Sequence, residues 1–247
     1  MSDHVVILGC GRSGTSIFGE LLQSIPGYTY YSEPRFDEVL GFDFSEPIAI
    51  KVPMESADYP APPGLSFPID TLMTATPTAP KLFWQVRHPL DAIASLRPGI
   101  ANNWGHHPRP KDWQQWQSRP LIEQCAHHWN YINSVGFEAV KDQVEVCPFE
   151  AMIVDPMSFA INICRQIGVD HNTCITDLQR WADRVQDTNN EQFIEAVTSR
   201  NLSRPDHVKK VGRWRENLSP ADIEAVLPIV QKTAMTFGYD VMADSES

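Results

Sequence analysis

The residues best placed to do chemistry stand near the start of the chain, in Gly9-Cys-Gly-Arg-Ser-Gly-Thr-Ser16. A short β-branched run, His4 to Leu8, precedes them, and Thr15 to Leu22 follows with apolar residues at helical spacing. Strand, glycine loop and helix in that order leave backbone N–H groups at a helix mouth, where the helix dipole favours an anion. The loop therefore reads as a phosphate cradle. Its spacing imitates the Walker A pattern, but Thr15 stands where the lysine that reaches the β- and γ-phosphates belongs. A nucleoside triphosphatase is disfavoured on that ground.

A second candidate anion site lies downstream. Lys81-Leu-Phe-Trp-Gln-Val86 is a run suited to a strand buried on both faces, and it ends in Arg87. Pro89 falls near the first turn of the helix that follows, where a missing amide proton costs nothing. A triphosphatase would instead offer a carboxylate at such a strand end to hold Mg²⁺. A cation there suits phosphate, although a surface arginine capping a strand is the plainer reading.

Gly11-Arg-Ser-Gly-Thr-Ser16 resembles the 5′-phosphosulfate loop of sulfotransferases that use 3′-phosphoadenosine 5′-phosphosulfate (PAPS), in the GRSGT form of carbohydrate, tyrosine and many bacterial members. Val86-Arg-His-Pro89, with Ser95, resembles that family's 3′-phosphate motif. Val208-Lys-Lys-Val-Gly-Arg-Trp-Arg-Glu-Asn-Leu-Ser219 resembles its C-terminal segment, GRW or GDW before a capped helix, which folds over the nucleotide. Phe149-Glu-Ala-Met-Ile-Val-Asp-Pro156 is similar, in divergent form, to its YEDL…DP stretch. The likeness runs through most of the chain in the right order.

The resemblance implies PAPS as co-substrate, PAP as product and no metal. It assigns nucleotide binding to Gly11, Arg12, Ser13, Gly14, Thr15, Ser16, Arg87 and Ser95, and further on to Lys209, Lys210, Gly212, Arg213 and Trp214. Lys209 and Lys210 do not align cleanly with the RKG of the cytosolic branch, so which residue of 207–215 meets the 3′-phosphate stays open.

In sulfonyl transfer, negative charge builds on the oxygen that bridges sulfur to the 5′-phosphate, and stabilising it is the main task. The resemblance places Arg12 there, and its planar fork can hold two oxygens at once. It also matches Lys51, in Ile48-Ala-Ile-Lys-Val-Pro53, to a strand-end lysine set against the transferred sulfonate; an exposed lysine at a strand end is the alternative. The small-molecule cytosolic branch takes the acceptor's proton with a histidine two positions after that lysine, where this chain has Pro53. The GRSGT branch uses a glutamate soon after the second strand, and Glu33 stands there. Near Arg12 and Arg35, Glu33 fits a structural ion pair as well as a base.

The elements that must carry these residues follow from periodicity. Tyr28 to Tyr31, Ile48 to Val52 and Val144 to Cys147 read as further strands. Leu121 to about Lys141, Met157 to Ile167 and Pro220 to Phe237 read as helices, the last N-capped by Ser219. Strands that feed helices favour parallel pairing through right-handed crossovers. The predicted fold is α/β: a three-layer, P-loop-like fold with a central, mostly parallel sheet flanked by helices, in a single domain over residues 1–247. Two proline-rich stretches, about 53–80 and 97–120, break the pattern, and the second carries Trp104, Trp113 and Trp116. Such loops are more often lids or binding loops than idle linkers, so an acceptor pocket is expected beneath them.

A net charge of -11 argues against a nucleic-acid partner, so an anionic ligand must meet a local cluster of positive groups. Five cysteines without a CxxC pair, scattered in apolar stretches, read as reduced, buried thiols of a cytoplasmic protein. No stretch approaches the roughly 18 apolar residues of a membrane span. His106-His107 and His127-His128 lack a partnering Cys or acid at ligand spacing, so a metal is not expected. The acceptor, a small-molecule, carbohydrate or lipid hydroxyl, is left open, as is the oligomeric state. Two other readings compete: a P-loop small-molecule kinase using ATP and Mg²⁺, and a non-catalytic nucleotide-binding module. The missing lysine weighs against the first, and Arg12 together with Glu33 against the second.

Overall fold

The computed structural model describes residues 3–186 and 211–246, so Lys209 and Lys210 lie outside the described residues. Five strands, β1 (Val5–Gly9), β2 (Thr29–Ser32), β3 (Ile48–Lys51), β4 (Lys81–Val86) and β5 (Val144–Pro148), form one sheet in the order β2-β3-β1-β4-β5. All the pairings are parallel, with Val5 opposite Ala49 on one side and Lys81 on the other. Side chains alternate across the pleat, and both faces are apolar. Val6, Leu8, Ile50, Leu82 and Trp84 enter one buried cluster, while Val5, Ile7, Ala49 and Phe83 enter another. A sheet covered on both faces by helices is the consequence.

One face carries α3 (Ile69–Ala75), α4 (Pro89–Ala101), α6 (Leu121–Tyr131) and α11 (Pro220–Thr236), which contribute Leu72, Ile93, Trp129 and Val230 to its core. The other carries α1 (Thr15–Ser24), α7 (Phe149–Val154), α8 (Pro156–Gln166) and α9 (Ile175–Gln186). Short helices α2 (Phe36–Val39), α5 (Trp113–Trp116), α10 (Trp214–Asn217) and α12 (Val241–Glu246) fill the connections. Among the described residues no helix is long and apolar enough to cross a membrane. The five cysteines are buried and free.

Several elements differ from the sequence expectation: α3 lies inside the first proline-rich stretch, α5 lies inside the second, and α7 follows β5 directly. Helix α4 continues through Pro98 to Ala101, so the second excursion starts later than residue 97; Leu96 and Ile100, both buried, hold the helix across the proline. Helix α6 passes at Tyr131 into a π-helical turn, Ile132–Gly136, and the helical path continues to Glu138, close to the end expected near Lys141. Such turns recur at functional sites, and this one lies under the first long loop. Helix α9 had no counterpart in the sequence reading. Its Leu178, Trp181 and Val185 cover α1, and Trp181 Nε1 donates to the Ile17 carbonyl at 3.1 Å. Ser219 caps α11 as expected: its hydroxyl accepts from Asp222 N–H and the Asp222 carboxylate accepts from Ser219 N–H.

The connection after β1 turns to one face of the sheet through α1, and the connection after the adjacent β4 turns to the other through α4. Two loops that part in this way leave a crevice at the carboxyl ends of the strands, where open α/β sheets bind ligands.

Candidate active site

The loop after β1 supplies the first wall of that crevice. Gly14 caps α1 with φ 90, a conformation glycine adopts without strain, and a Cβ there would collide with the Phe149 ring. The loop thus lies flat on α7. The first turn of α1 holds no acidic residue and no side-chain cap, so its amides face the crevice as an anion site. Ser13 is fully buried, and its hydroxyl has no hydrogen-bond partner among the described residues. A buried hydroxyl left in this state suits a site that a ligand's oxygens complete.

The second wall comes from β4 and α4. Arg87, 7% exposed, lies over the Phe149 ring at 4.2 Å, and its Nη1 donates to the Arg12 carbonyl at 3.3 Å. Burial pushes its pKa below the usual arginine value, while the charges of Asp91 and Glu150 pull it back. A guanidinium keeps its proton in a protein, so Arg87 is a buried cation. Arg12 Nε donates to Ser95 Oγ at 3.0 Å. The two anion sites expected from sequence, one at the glycine loop and one at Arg87 and Ser95, therefore meet. Arg12 is their common member.

The third wall comes from β2 and β3. Lys51, 5% exposed, donates to Ser16 Oγ at 3.1 Å and pairs with Glu33 Oε1 at 2.8 Å. It is therefore a buried cation at the phosphate loop and not the exposed strand-end lysine that was the alternative. Glu33 N–H donates to the Lys51 carbonyl at 2.9 Å, which fixes the backbone while the carboxylate stays half exposed. Arg12, Glu33 and Val52, which follow β1, β2 and β3 closely, have φ of 70, 52 and 32. Left-handed backbone at non-glycine residues costs energy, and it gathers where structure serves function. Arg35, which sequence also set near Glu33, pairs with Asp37 instead, at 2.8 Å.

Of the C-terminal motif, Gly212, Arg213 and Trp214 are described, and they reach the same crevice. Both oxygens of the buried Asp91 accept backbone bonds of 2.8 Å, from Gly212 N–H and Trp214 N–H. Trp214 stacks on His88 with centroids 6.1 Å apart and planes at 16°. The charge of Arg213 is felt at Arg87. Glu150 accepts from His88 N–H at 2.9 Å and from the Tyr239 hydroxyl at 2.7 Å. Sequence reasoning passed over Asp91, Glu150 and Tyr239. For Asp91 a signal existed, because it follows Arg87 by four residues in the first turn of α4, close enough for a carboxylate to meet the guanidinium.

The long loops close the crevice on the remaining side. Residues 102–112 bring His106 against Gly11 and Gly99, where either Cβ would crowd the imidazole. Burial, and then the Arg12 cation, push the His106 pKa down to about 4, against the pull of Glu33. This imidazole is neutral at pH 7. Trp104 is buried and donates to His128 Nδ1 at 3.2 Å, and Trp116 stacks on His127 at 4.0 Å, so these tryptophans pack the loop together. His127 Nε2 lies 2.8 Å from Asp112 Oδ1. Among the described residues no group of three or more His, Cys, Asp or Glu is arranged to hold a metal ion.

Between the two loops lies an open cleft of about 410 Å³, walled by Tyr59, Pro62, Pro108, Lys111 and Tyr131. A narrow apolar space beside it, lined by Leu8, Gly9, Val52 and Trp84, leads toward the phosphate loop. Gly64 and Gly136 touch backbone to backbone, and Tyr131 Oη accepts from Gly64 N–H at 2.9 Å, so the π-helical turn clips the first loop in place.

A parallel sheet between two helical layers, with a glycine loop at its first strand and an arginine ending the strand beside it, defines a P-loop-like α/β fold. Solved sulfotransferases share that fold. The mouse sulfotransferase SULT7A1 in complex with PAP superposes with a TM-score of 0.66 at 18% identity, over 99% of this chain and 88% of that one. Sulfotransferase STF9 from Mycobacterium avium matches with a TM-score of 0.53 at 14% identity, over 96% and 77%. Retinol dehydratase in complex with androsterone and the inactive cofactor PAP gives 0.53 at 14% identity, over 94% and 80%. No family model and no curated protein matches the chain.

Proposed function

We propose that this chain, as one domain over residues 1–247, is a sulfotransferase that moves a sulfonate group from PAPS to a hydroxyl of an acceptor. One observation carries the reading. Arg12 donates to Ser95, and Arg87 donates to the Arg12 carbonyl, so the glycine loop and the strand-end cation form a single cationic surface at the mouth of α1. A nucleotide with phosphates on both its 5′ and 3′ oxygens suits such a surface. The solved relatives in fold that hold PAP support it.

In this reading the amides of Gly14, Thr15 and Ser16 and the hydroxyl of Ser13 hold the 5′-phosphosulfate, and Arg87 with Ser95 holds the 3′-phosphate. Arg213 and Trp214 cover the nucleotide, and Lys209 and Lys210 belong to the same segment. PAPS, when bound, supplies an activated sulfonate. Arg12 and Lys51 then stabilise the charge that grows on the bridging oxygen, as preformed donors in a buried site. Glu33 accepts the proton of the acceptor hydroxyl. Its pairing with Lys51 leaves the carboxylate half exposed and so within reach of an entering hydroxyl. The acceptor enters through the cleft between the loops, with its hydroxyl toward Val52 and the phosphate loop.

Calorimetry with PAP and with ATP·Mg²⁺ is the first test. Tighter binding of PAP, with no need for Mg²⁺, is expected, and preference for ATP·Mg²⁺ would transfer the site to a kinase. Incubation with PAPS and a mixed hydroxyl library, read by mass spectrometry as gain of a sulfonate, then names the acceptor. Binding of PAP with no transfer to any member would favour a module without catalysis.

A further inference from the structure

We propose that Asp91 is a positioning residue that joins the 3′-phosphate site to the segment covering it, so that selectivity for a 3′-phosphorylated nucleotide depends on this carboxylate. The inference rests on the sulfotransferase reading of the site.

Asp91 is 1% exposed and stands on α4 one turn beyond Arg87. Its Oδ2 accepts from Gly212 N–H and its Oδ1 from Trp214 N–H, both at 2.8 Å, and Oδ2 lies 3.8 Å from Arg87 Nη2. A carboxylate so deeply buried is tolerated only when hydrogen-bonded and beside a cation, and all three partners belong to the nucleotide wall. The contact spans 121 residues of sequence and is made to backbone, so it fixes the path of residues 212–214 rather than one side chain. With that path fixed, Trp214 lies against His88, the neighbour of Arg87, and Arg213 sits within the field of Arg87. One carboxylate thus sets the spacing between the strand-end cation and the segment that closes on it.

The substitution Asp91→Asn keeps the shape but leaves one carbonyl oxygen for two N–H donors. Loss of a bond to a charged acceptor corresponds to about tenfold or more in affinity. Affinity for PAP, measured by calorimetry, is expected to fall by that factor, while affinity for adenosine 5′-monophosphate, which lacks the 3′-phosphate, stays within about twofold. A general structural defect would lower both together and leave their ratio unchanged, and that result overturns the proposal. Gly212→Ala alters the same contact from the other side, at a loop residue with φ 77, and is expected to give the same selective loss even if Asp91→Asn fails to fold. Wild-type protein that ignores PAP altogether would remove the sulfotransferase reading and this inference with it. Wild-type binding with an unchanged ratio in both variants removes the inference alone.

Discussion

The nucleotide side of the crevice is built from short turns between strands and helices, and its cations are buried: Arg87 is 7% and Lys51 5% exposed, each tied to the phosphate loop by a hydrogen bond. The proposed acceptor side is built from two long loops, and its cleft of about 410 Å³ is walled by prolines and tyrosines together with charged residues such as Glu55, Arg109 and Lys111. One side is cross-linked and preformed. The other is held at a few points, such as the contact between Gly64 and Gly136. A donor nucleotide common to a whole class of reactions suits a fixed site, whereas an acceptor that differs from enzyme to enzyme suits loops that vary on a constant sheet.

Substitutions on the two sides should therefore separate nucleotide binding from acceptor handling. Glu33→Gln is expected to have the largest effect, a loss of about 10² to 10⁴ in kcat with PAP affinity retained, checked by turnover and calorimetry on one preparation. Unchanged turnover would remove Glu33 from proton transfer. Next comes Arg12→Ala, expected to lower kcat by about 10² to 10³ as a charge-stabilising donor is lost. It should also weaken PAP, because Ser95 loses its partner.

A pH effect follows, and it marks where the two sides touch. The folded chain holds His106 at a pKa of about 4, whereas an unfolded imidazole titrates near 6.5, so between these values the unfolded chain binds more protons. Stability is full above about pH 6.5 and is lost as pH falls toward 4, by about 2 kcal/mol between pH 7 and pH 5. Thermal melts should show a smaller decline in His106→Gln. The smallest effect on the nucleotide is expected from Gly64→Ala, whose Cβ, at φ 80, would collide with the Gly136 backbone nitrogen and so displace the first loop. It should raise the acceptor KM and leave PAP affinity alone; a matching loss of PAP affinity would break the separation of the two sides.

The nucleotide side was legible in sequence because its parts are local. Gly11 to Ser16 lie in one turn and Arg87 ends one strand, so local pattern singled them out, while the resemblance to a family motif added Ser95 in the same strand-to-helix unit. The strands were legible for the same reason, since alternating burial on two faces leaves continuous apolar runs. What escaped is non-local. The bonds from Asp91 to Gly212 and Trp214 cross more than a hundred residues, and the joint hold of Glu150 on His88 and Tyr239 joins three separate elements. The π-helical turn inside the expected Leu121–Lys141 helix escaped because it changes the helical period without any proline or glycine at its start. Helix α9 carries its signal in local sequence, with Ile175, Leu178, Trp181, Ala182 and Val185 at helical spacing, and was passed over because the residues between them are polar.

Val52, with φ 32, directly follows Lys51, and its N–H donates to the Ile7 carbonyl at 2.9 Å. A β-branched residue forced into this bend makes the chain less robust than it need be, and the bend aims the ammonium of Lys51 at Ser16. In the proposed sulfotransferase, durability and speed are therefore opposed at this position. Glycine there would relieve the backbone and slow transfer, so selection for heat resistance alone would drift away from the working sequence.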